Sequence, residues 1–96
     1  MRLLMLKQLF SAGVLERAIV EPSPDKAGEW VLSVTKKDGE KVAVTVAANA
    51  AQTKQYVRQT AALMDAHRIG FRDVLIRLPE AFAREDGAKL GKDRKN

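Results

Sequence analysis

The chain has 96 residues and no cysteine; 46% of the residues are hydrophobic, 30% are charged, and the net charge is +5 at pH 7. This length suits one domain with one modest core, and the hydrophobic fraction excludes a chain that stays disordered. The lack of cysteine excludes disulfides and thiol catalysis, and it fits a reducing compartment, so we expect a cytoplasmic protein. The positive charge permits contact with nucleic acid without requiring it.

Residues 2–12 are predicted to form a helix that ends at Gly13. The apolar side chains cover nearly half of its circumference, while Leu4 stands apart among polar residues. Lys7 interrupts the short apolar run, and no small-residue cleavage site follows it. We therefore predict neither a signal peptide nor a membrane-spanning segment.

A hairpin is predicted around Lys37-Asp38-Gly39, after a short strand at residues 17–21 and a proline-containing loop at residues 22–28. Each strand of the hairpin carries an apolar set with period two. A two-residue turn would place the two sets on opposite faces of the sheet. A three-residue loop with Gly39 in the left-handed position brings both sets onto one face. The resulting pairs are Val34 with Val42, Leu32 with Val44, and Trp30 with Val46.

A second helix is predicted over residues 50–68, with Asn49 and Gln52 as its capping pair. A last strand follows over residues 71–78. The predicted fold class is therefore α+β, in the order α-β-β-β-α-β.

Both helices are expected on the apolar face of one four-stranded sheet, as a single two-layer domain over residues 1–80. The long connection through the second helix permits a parallel neighbour, so the sheet can be mixed. Residues 81–96 are charged and contain glycine, which predicts a flexible C-terminal tail.

No constellation for catalysis or metal binding is evident in the sequence. His67 is the single histidine, and near a helix C-terminus such a residue more often satisfies a carbonyl or the helix dipole than takes part in a reaction. The acidic residues fall in turns, beside strands or in the tail rather than in one pocket. We therefore predict that the protein is not an enzyme and has neither a metal site nor a cofactor.

Positive charge is concentrated in the predicted second helix and last strand, which together contain five basic and two acidic residues. Lys54, Arg58 and Arg68 share one stripe of the helix, and Arg72 follows on the strand. A basic helix face can lie along phosphates, which predicts these four residues as a nucleic-acid contact. The alternatives are a solvated helix face, which Asp65 in the stripe favours, and a contact with an acidic protein. Stacking of single-stranded bases is disfavoured, because aromatic residues do not alternate with the basic ones.

Apolar residues exceed what one small core needs. They are Met1, Leu4 and Met5 on the first helix, and Val31 and Ala43 on the second face of the sheet. Exposed apolar patches mark contacts, and sheet edges can pair with another chain. We therefore predict a protein partner or a homodimer through these five residues. The alternative is that Met1 and Leu4 belong to a frayed terminus.

Two short motifs resemble a known family. They are LKQLFSAGVLERAIV at residues 6–20 and RIGFRDV at residues 68–74, and each joins a helix to a strand through a glycine. Together they resemble small partition-associated (ParC-like) proteins encoded on bacterial plasmids. The resemblance implies a cytoplasmic accessory protein of a mobile element, without catalytic residues. Residues 48–52 and the charged tail depart from the family pattern.

Three functions are open at this point. The leading hypothesis is a non-catalytic protein-interaction module, a homodimer, that serves plasmid or mobile-element maintenance. The second is a nucleic-acid-binding protein that uses the basic residues of the second helix. The third is a mobile-element inhibitor that blocks a host defence complex by occupying its surface.

Overall fold

Two helices and six strands follow one another in residues 1–81, the part of the chain that the computed structural model describes. The elements are α1 (Leu3–Ser11), β1 (Leu15–Pro22), β2 (Trp30–Lys36), β3 (Lys41–Ala43), β4 (Thr45–Val46), β5 (Asn49–Thr53), α2 (Gln59–Ile69) and β6 (Val74–Ile76). The α+β class and the predicted order are confirmed, and β4 and β5 add a small second sheet. The predicted tail lies outside the described residues, except for Ala81.

The four remaining strands form one mixed sheet in the order β3-β2-β1-β6. β2 pairs antiparallel with both β1 and β3. β6 pairs in parallel with β1, with Leu75 opposite Ile19. α2 lies in the connection that brings the chain back beside β1, because parallel neighbours need a long crossover.

The β2–β3 hairpin has the predicted register. Val34 lies opposite Val42, and the amide of Val44 donates to the Leu32 carbonyl at 2.8 Å. Gly39 has a φ of +97°, which side chains rarely adopt, and its amide closes the turn. The apolar sets of both strands therefore face one side of the sheet as far as Val44.

The predicted pairing of Trp30 with Val46 is wrong, because the chain leaves the large sheet after Val44. β4 and β5 fold back on each other, and Val46 lies opposite Asn49 in the small sheet. Tyr56 takes the place opposite Trp30: its amide donates to the Trp30 carbonyl at 2.8 Å, and its carbonyl accepts from the Trp30 amide at 2.7 Å. A stretch that the sequence assigns to one strand is thus divided between two sheets.

The predicted helix over residues 50–68 is wrong in its first half. Residues 49–53 form β5, and α2 begins only at Gln59. Asn49 does not cap a helix; its side-chain oxygen accepts a hydrogen bond from the Ala51 amide. Alanine and glutamine favour a helix locally, but the pairing of this segment with β4 and with Trp30 outweighs that preference.

Both helices pack on the same face of the large sheet, as predicted. One buried cluster joins them to the inward side chains of the strands. It contains Leu6, Leu15, Ala18, Val20, Trp30, Leu32, Val34, Val44, Tyr56, Ala62, Ala66, Ile69 and Phe71. Burial of this apolar surface is the main stabilising contribution to the fold.

α1 meets the end of α2 at Phe10, whose ring lies edge-on to that of Phe71 with 5.0 Å between the centroids. Gly70 ends α2 with a φ of +135°. A Cβ atom at this position would lie 2.5 Å from Cδ1 of Phe10. The Phe10 ring therefore occupies the space that any other side chain at residue 70 would need.

The opposite face of the sheet, which we call the open face, carries no helix within residues 1–81. Val31 points to this face and is only 5% exposed, so it is not the exposed contact residue that the sequence predicts. Long charged side chains help to cover the face. Glu21 on β1 pairs with Lys41 of β3 at 2.8 Å and lies 3.8 Å from Nε of Arg77, just past β6. One carboxylate thus links the two outer strands.

Candidate interaction surface

A buried carboxylate organises the polar contacts between α2 and the segment before it. Asp65 on α2 is 2% exposed. Its Oδ2 accepts hydrogen bonds from the Tyr56 hydroxyl at 2.7 Å and from Lys54 Nζ at 2.9 Å, and its Oδ1 accepts from the Arg68 guanidinium. A buried carboxylate is tolerated only with such partners, so these four residues form one unit, the Asp65 cluster.

Main-chain pairing places Tyr56 and Lys54 at one oxygen of Asp65, and the spacing on α2 places Arg68 at the other. Tyr56 is fixed by its two hydrogen bonds to Trp30, and the amide of Lys54 donates to the Val44 carbonyl at 2.9 Å. Lys54 Nζ also lies 5.1 Å from the centroid of the Tyr56 ring, within the range of a cation–π contact. Arg68 follows Asp65 by three residues on α2, a spacing that favours an ion pair on a helix.

The charges of the cluster follow from these contacts. Burial alone raises the pKa of the Asp65 carboxyl, but hydrogen bonds from Lys54, Tyr56 and Arg68 outweigh it, so the pKa lies below its usual value. Burial and the hydrogen bond to Asp65 raise the pKa of the Tyr56 hydroxyl above its ordinary value. At pH 7 the carboxylate is therefore charged and the phenol neutral.

A shallow depression of about 500 Å³ lies beside the Asp65 cluster. Two of its lining side chains are apolar and largely exposed, Val57 at 68% and Met64 at 51%. Its basic lining residues are Lys54, Arg58 and Arg68. The depression thus combines exposed apolar surface with three basic side chains and the buried Asp65 carboxylate that pairs with two of them.

Gln55 adds a polar group to the same lining. Its side-chain carbonyl oxygen is buried and accepts no hydrogen bond within the described structure. A buried acceptor without a donor is energetically costly, so an N–H group that reached it from a bound molecule would be favoured.

Three of the four predicted nucleic-acid residues come together at this depression. Lys54 follows β5 and Arg58 precedes α2, so only Arg68 of the three lies within a helix. Arg72 is exposed in the connection between α2 and β6 and does not line the depression. Asp65 holds Lys54 and Arg68, which lowers the positive potential that these residues present.

The five predicted protein-contact residues do not form one surface. Leu4 and Met5 are exposed on α1, at 66% and 49%. Met1 packs half-buried against the core, and its amino group donates to the Ala43 carbonyl at 2.7 Å. Val31 and Ala43 line the open face, on the side of the sheet opposite α1. The five residues therefore lie on two sides of the molecule, α1 and the open face, which are the two places where the sequence puts them.

His67 is exposed in the last turn of α2. Among residues 1–81, no group of three or more histidine, aspartate or glutamate side chains is placed to hold a metal ion. In the same residues, no helix has the length and apolar character needed to cross a membrane.

Sequence reasoning missed Tyr56, Val57 and Met64 as members of this surface, because all three fall within the helix predicted over residues 50–68, whereas α2 begins only at Gln59. An aromatic residue followed by a β-branched one favours extended backbone, and that signal could have shortened the predicted helix. No protein-family model, curated protein or solved structure matches this chain. The resemblance to ParC-like proteins therefore stays a prediction.

Proposed function

We propose that the protein is a non-catalytic interaction module that binds an acidic segment of another protein in the depression beside the Asp65 cluster. The supporting observation is the exposure of Val57 and Met64 at 68% and 51% in a depression that Arg58 also lines. Exposed apolar side chains in a concave surface gain burial when a partner binds. Positive charges around them favour an acidic partner and steer its approach.

The Asp65 cluster orders two of the basic side chains before a partner binds. Lys54 and Arg68 are held by the Asp65 carboxylate, yet their side chains remain 42% and 53% exposed. Side chains that are already ordered lose less conformational freedom when a ligand binds. Their remaining N–H groups can donate to the carboxylates of an acidic segment.

Nucleic acid is the second candidate, and the exposure of Arg58 and Arg72 is the observation that favours it. A duplex contact depends mainly on the number of cations that reach phosphates. Asp65 offsets part of the positive charge here, and Trp30, Tyr56 and Phe71 are buried rather than available for base stacking. Phosphates would also leave the apolar surface of Val57 and Met64 exposed, so this surface would contribute nothing to nucleic-acid binding.

The cellular setting that we propose is accessory work in plasmid or mobile-element maintenance, and it depends on the sequence resemblance alone. Inhibition of a host defence complex is a narrower form of the same proposal, in which the acidic partner belongs to the host. Both settings use the same depression.

An NMR titration of the ¹⁵N-labelled full chain tests the proposed site. The probes are a short peptide of aspartate, glutamate and leucine, the same peptide with lysine in place of the acidic residues, and a short DNA duplex. We expect the acidic peptide to shift the amide signals of Val57, Arg58 and Met64, and the lysine peptide to leave them unchanged. Shifts caused by the duplex but not by the acidic peptide would support the second candidate and overturn the first.

Two matched pairs of variants separate the site from general charge. Arg58→Glu should weaken binding of the acidic peptide roughly tenfold, whereas Arg17→Glu, the same change at an exposed position of β1, should have no effect. Met64→Glu should likewise weaken binding, whereas Leu4→Glu on α1 should not. Equal weakening by both members of a pair would contradict the proposed site.

A further inference from the structure

β6 is an outer strand of the large sheet, and its free edge is apolar. Within residues 1–81 no strand pairs with it on the side away from β1. Leu75, Ile76 and Leu78 are exposed at 42%, 37% and 54%. An exposed apolar edge of this kind favours pairing with a strand of another chain.

The pairing of β6 with β1 shows which main-chain groups of β6 face its free edge. The amide of Arg77 donates to the Val20 carbonyl at 2.8 Å, so Arg77 and, by alternation, Leu75 direct their N–H and C=O groups toward β1. Val74 and Ile76 therefore direct theirs toward the free edge. An incoming antiparallel strand pairs with residues of that orientation.

We infer that two copies of this chain associate through β6, antiparallel and with a two-fold axis at Leu75. This register places Val74 of each copy opposite Ile76 of the other, so that all four residues exchange main-chain hydrogen bonds. It also places Asp73 of each copy opposite Arg77 of the other. The two residues that flank β6 thus carry complementary charges, which meet twice in each dimer, as a two-fold interface requires.

The neighbouring register, with the axis at Ile76, lacks this complementarity. It places Leu75 opposite Arg77 and Asp73 opposite Pro79, so neither charge meets an opposite one. Charge therefore selects the axis at Leu75. The result is a continuous eight-stranded sheet of two copies, in the order β3-β2-β1-β6-β6-β1-β2-β3.

The contact is small, because β6 has three residues, and we expect association only at high micromolar concentration. It shares no residue with the depression that binds the acidic segment in our proposed function. The two proposals can therefore fail separately: mass in solution reports this one, and peptide binding reports the other.

Sedimentation of the full chain over a range of concentrations, with complementary charge variants, tests the inference. The unchanged chain should approach twice the mass of one chain at the highest concentrations. Asp73→Lys and Arg77→Glu should each stay at the mass of one chain, because each places like charges opposite one another. An equimolar mixture of the two variants should associate, because each introduced charge then meets its opposite. A chain that keeps the mass of one copy at all concentrations would overturn the inference.

Two controls exclude a general effect of charge or of misfolding. Asp25→Lys, the same change in the exposed loop after β1, should associate like the unchanged chain. The charge-preserving variant, with Asp73→Glu and Arg77→Lys in one chain, should also associate, because it keeps opposite charges in the pair and a cation beside Glu21. Loss of association in both controls, or association of the single variants like the unchanged chain, would contradict the proposed register.

Discussion

α2 is attached to the rest of the fold in two physically different ways. At its C-terminal end, Gly70 lies against the Phe10 ring, and this contact depends on shape alone. In its middle, Asp65 is held by hydrogen bonds and opposite charges. Only the second attachment uses side chains that also line the depression. A substitution at the C-terminal end of α2 should therefore change the stability of the fold alone. A substitution in the middle of α2 should change both stability and binding in the depression.

The largest effect is expected at the attachment that depends on shape. Gly70→Ala would place a Cβ atom 2.5 Å from Phe10 Cδ1, at a φ of +135°. We expect a loss of about 3 kcal/mol in the free energy of unfolding, from backbone strain and overpacking together. Urea denaturation measures it, and the loss should not change with pH or salt.

Gly39→Ala is the matched control for this prediction. Gly39 also has a positive φ, +97°, but a Cβ atom there meets nothing within 4 Å. We expect a loss of about 1 kcal/mol, from backbone strain alone. Equal losses for the two variants would show that the Phe10 contact contributes nothing.

The second largest effect is expected from Asp65→Asn. The amide keeps the shape of the side chain but removes the charge that Lys54 and Arg68 neutralise, so about 2 kcal/mol of stability should be lost at pH 7. Asp38→Asn is the control, because Asp38 is exposed and its oxygen accepts a backbone hydrogen bond that an amide can keep.

The pH dependence of this difference has a definite sign. The pKa of Asp65 is lower in the folded chain than in the unfolded one. Its stabilising contribution is therefore present above the unfolded pKa, about 4, and is lost as the pH falls through the folded pKa. The difference between the unchanged chain and Asp65→Asn should be constant above about pH 5 and shrink below about pH 4. A constant difference at all pH values would contradict the role of the charge.

A smaller effect is expected from Tyr56→Phe. The variant keeps the buried ring and loses one of the hydrogen bonds to Asp65, so we expect about 1 kcal/mol of destabilisation in urea. The double variant with Asp65→Asn should lose less than the sum of the two single variants, because they share one interaction. Strict additivity would show that the hydroxyl acts independently of the carboxylate.

The smallest effect on stability is expected from Lys54→Met. The lysine is 42% exposed, so its ion pair should contribute about 0.5 kcal/mol and weaken with salt. Lys7→Met on the exposed side of α1 is the matched control. The free energy of binding the acidic peptide should fall by much more than the free energy of unfolding. A large loss in the free energy of unfolding, with unchanged peptide binding, would contradict a role of Lys54 in binding.

The hairpin could be predicted because its determinants are local. Alternation of apolar residues and one glycine select a single register, and Val34 lies opposite Val42 as expected. The pairing of Trp30 with Tyr56 could not be predicted in this way. It joins residues that are far apart in the sequence and depends on where the β4–β5 turn sends the chain.

The candidate site was predicted only in part, and for a partly wrong reason. The sequence pattern places Lys54, Arg58 and Arg68 on one stripe of a long helix, whereas β5 and the extended segment after it bring Lys54 to Asp65. Asp65 in the stripe favours a solvated helix face when only the sequence is considered, but its carboxylate is the buried centre of the cluster. A sequence pattern gives the charges of neighbouring residues, and burial decides which of them are neutralised.

The contacts of Glu21 with Lys41 and Arg77 affect whether another molecule can pack on the open face. A second sheet that stacked on the open face would have to remove water from three charged groups, at a cost of several kcal/mol for each ion. Face-to-face stacking, the packing mode that builds fibrils, is thereby discouraged even where the protein is concentrated. The ion pairs therefore disfavour aggregation through the open face, which no helix of residues 1–81 covers.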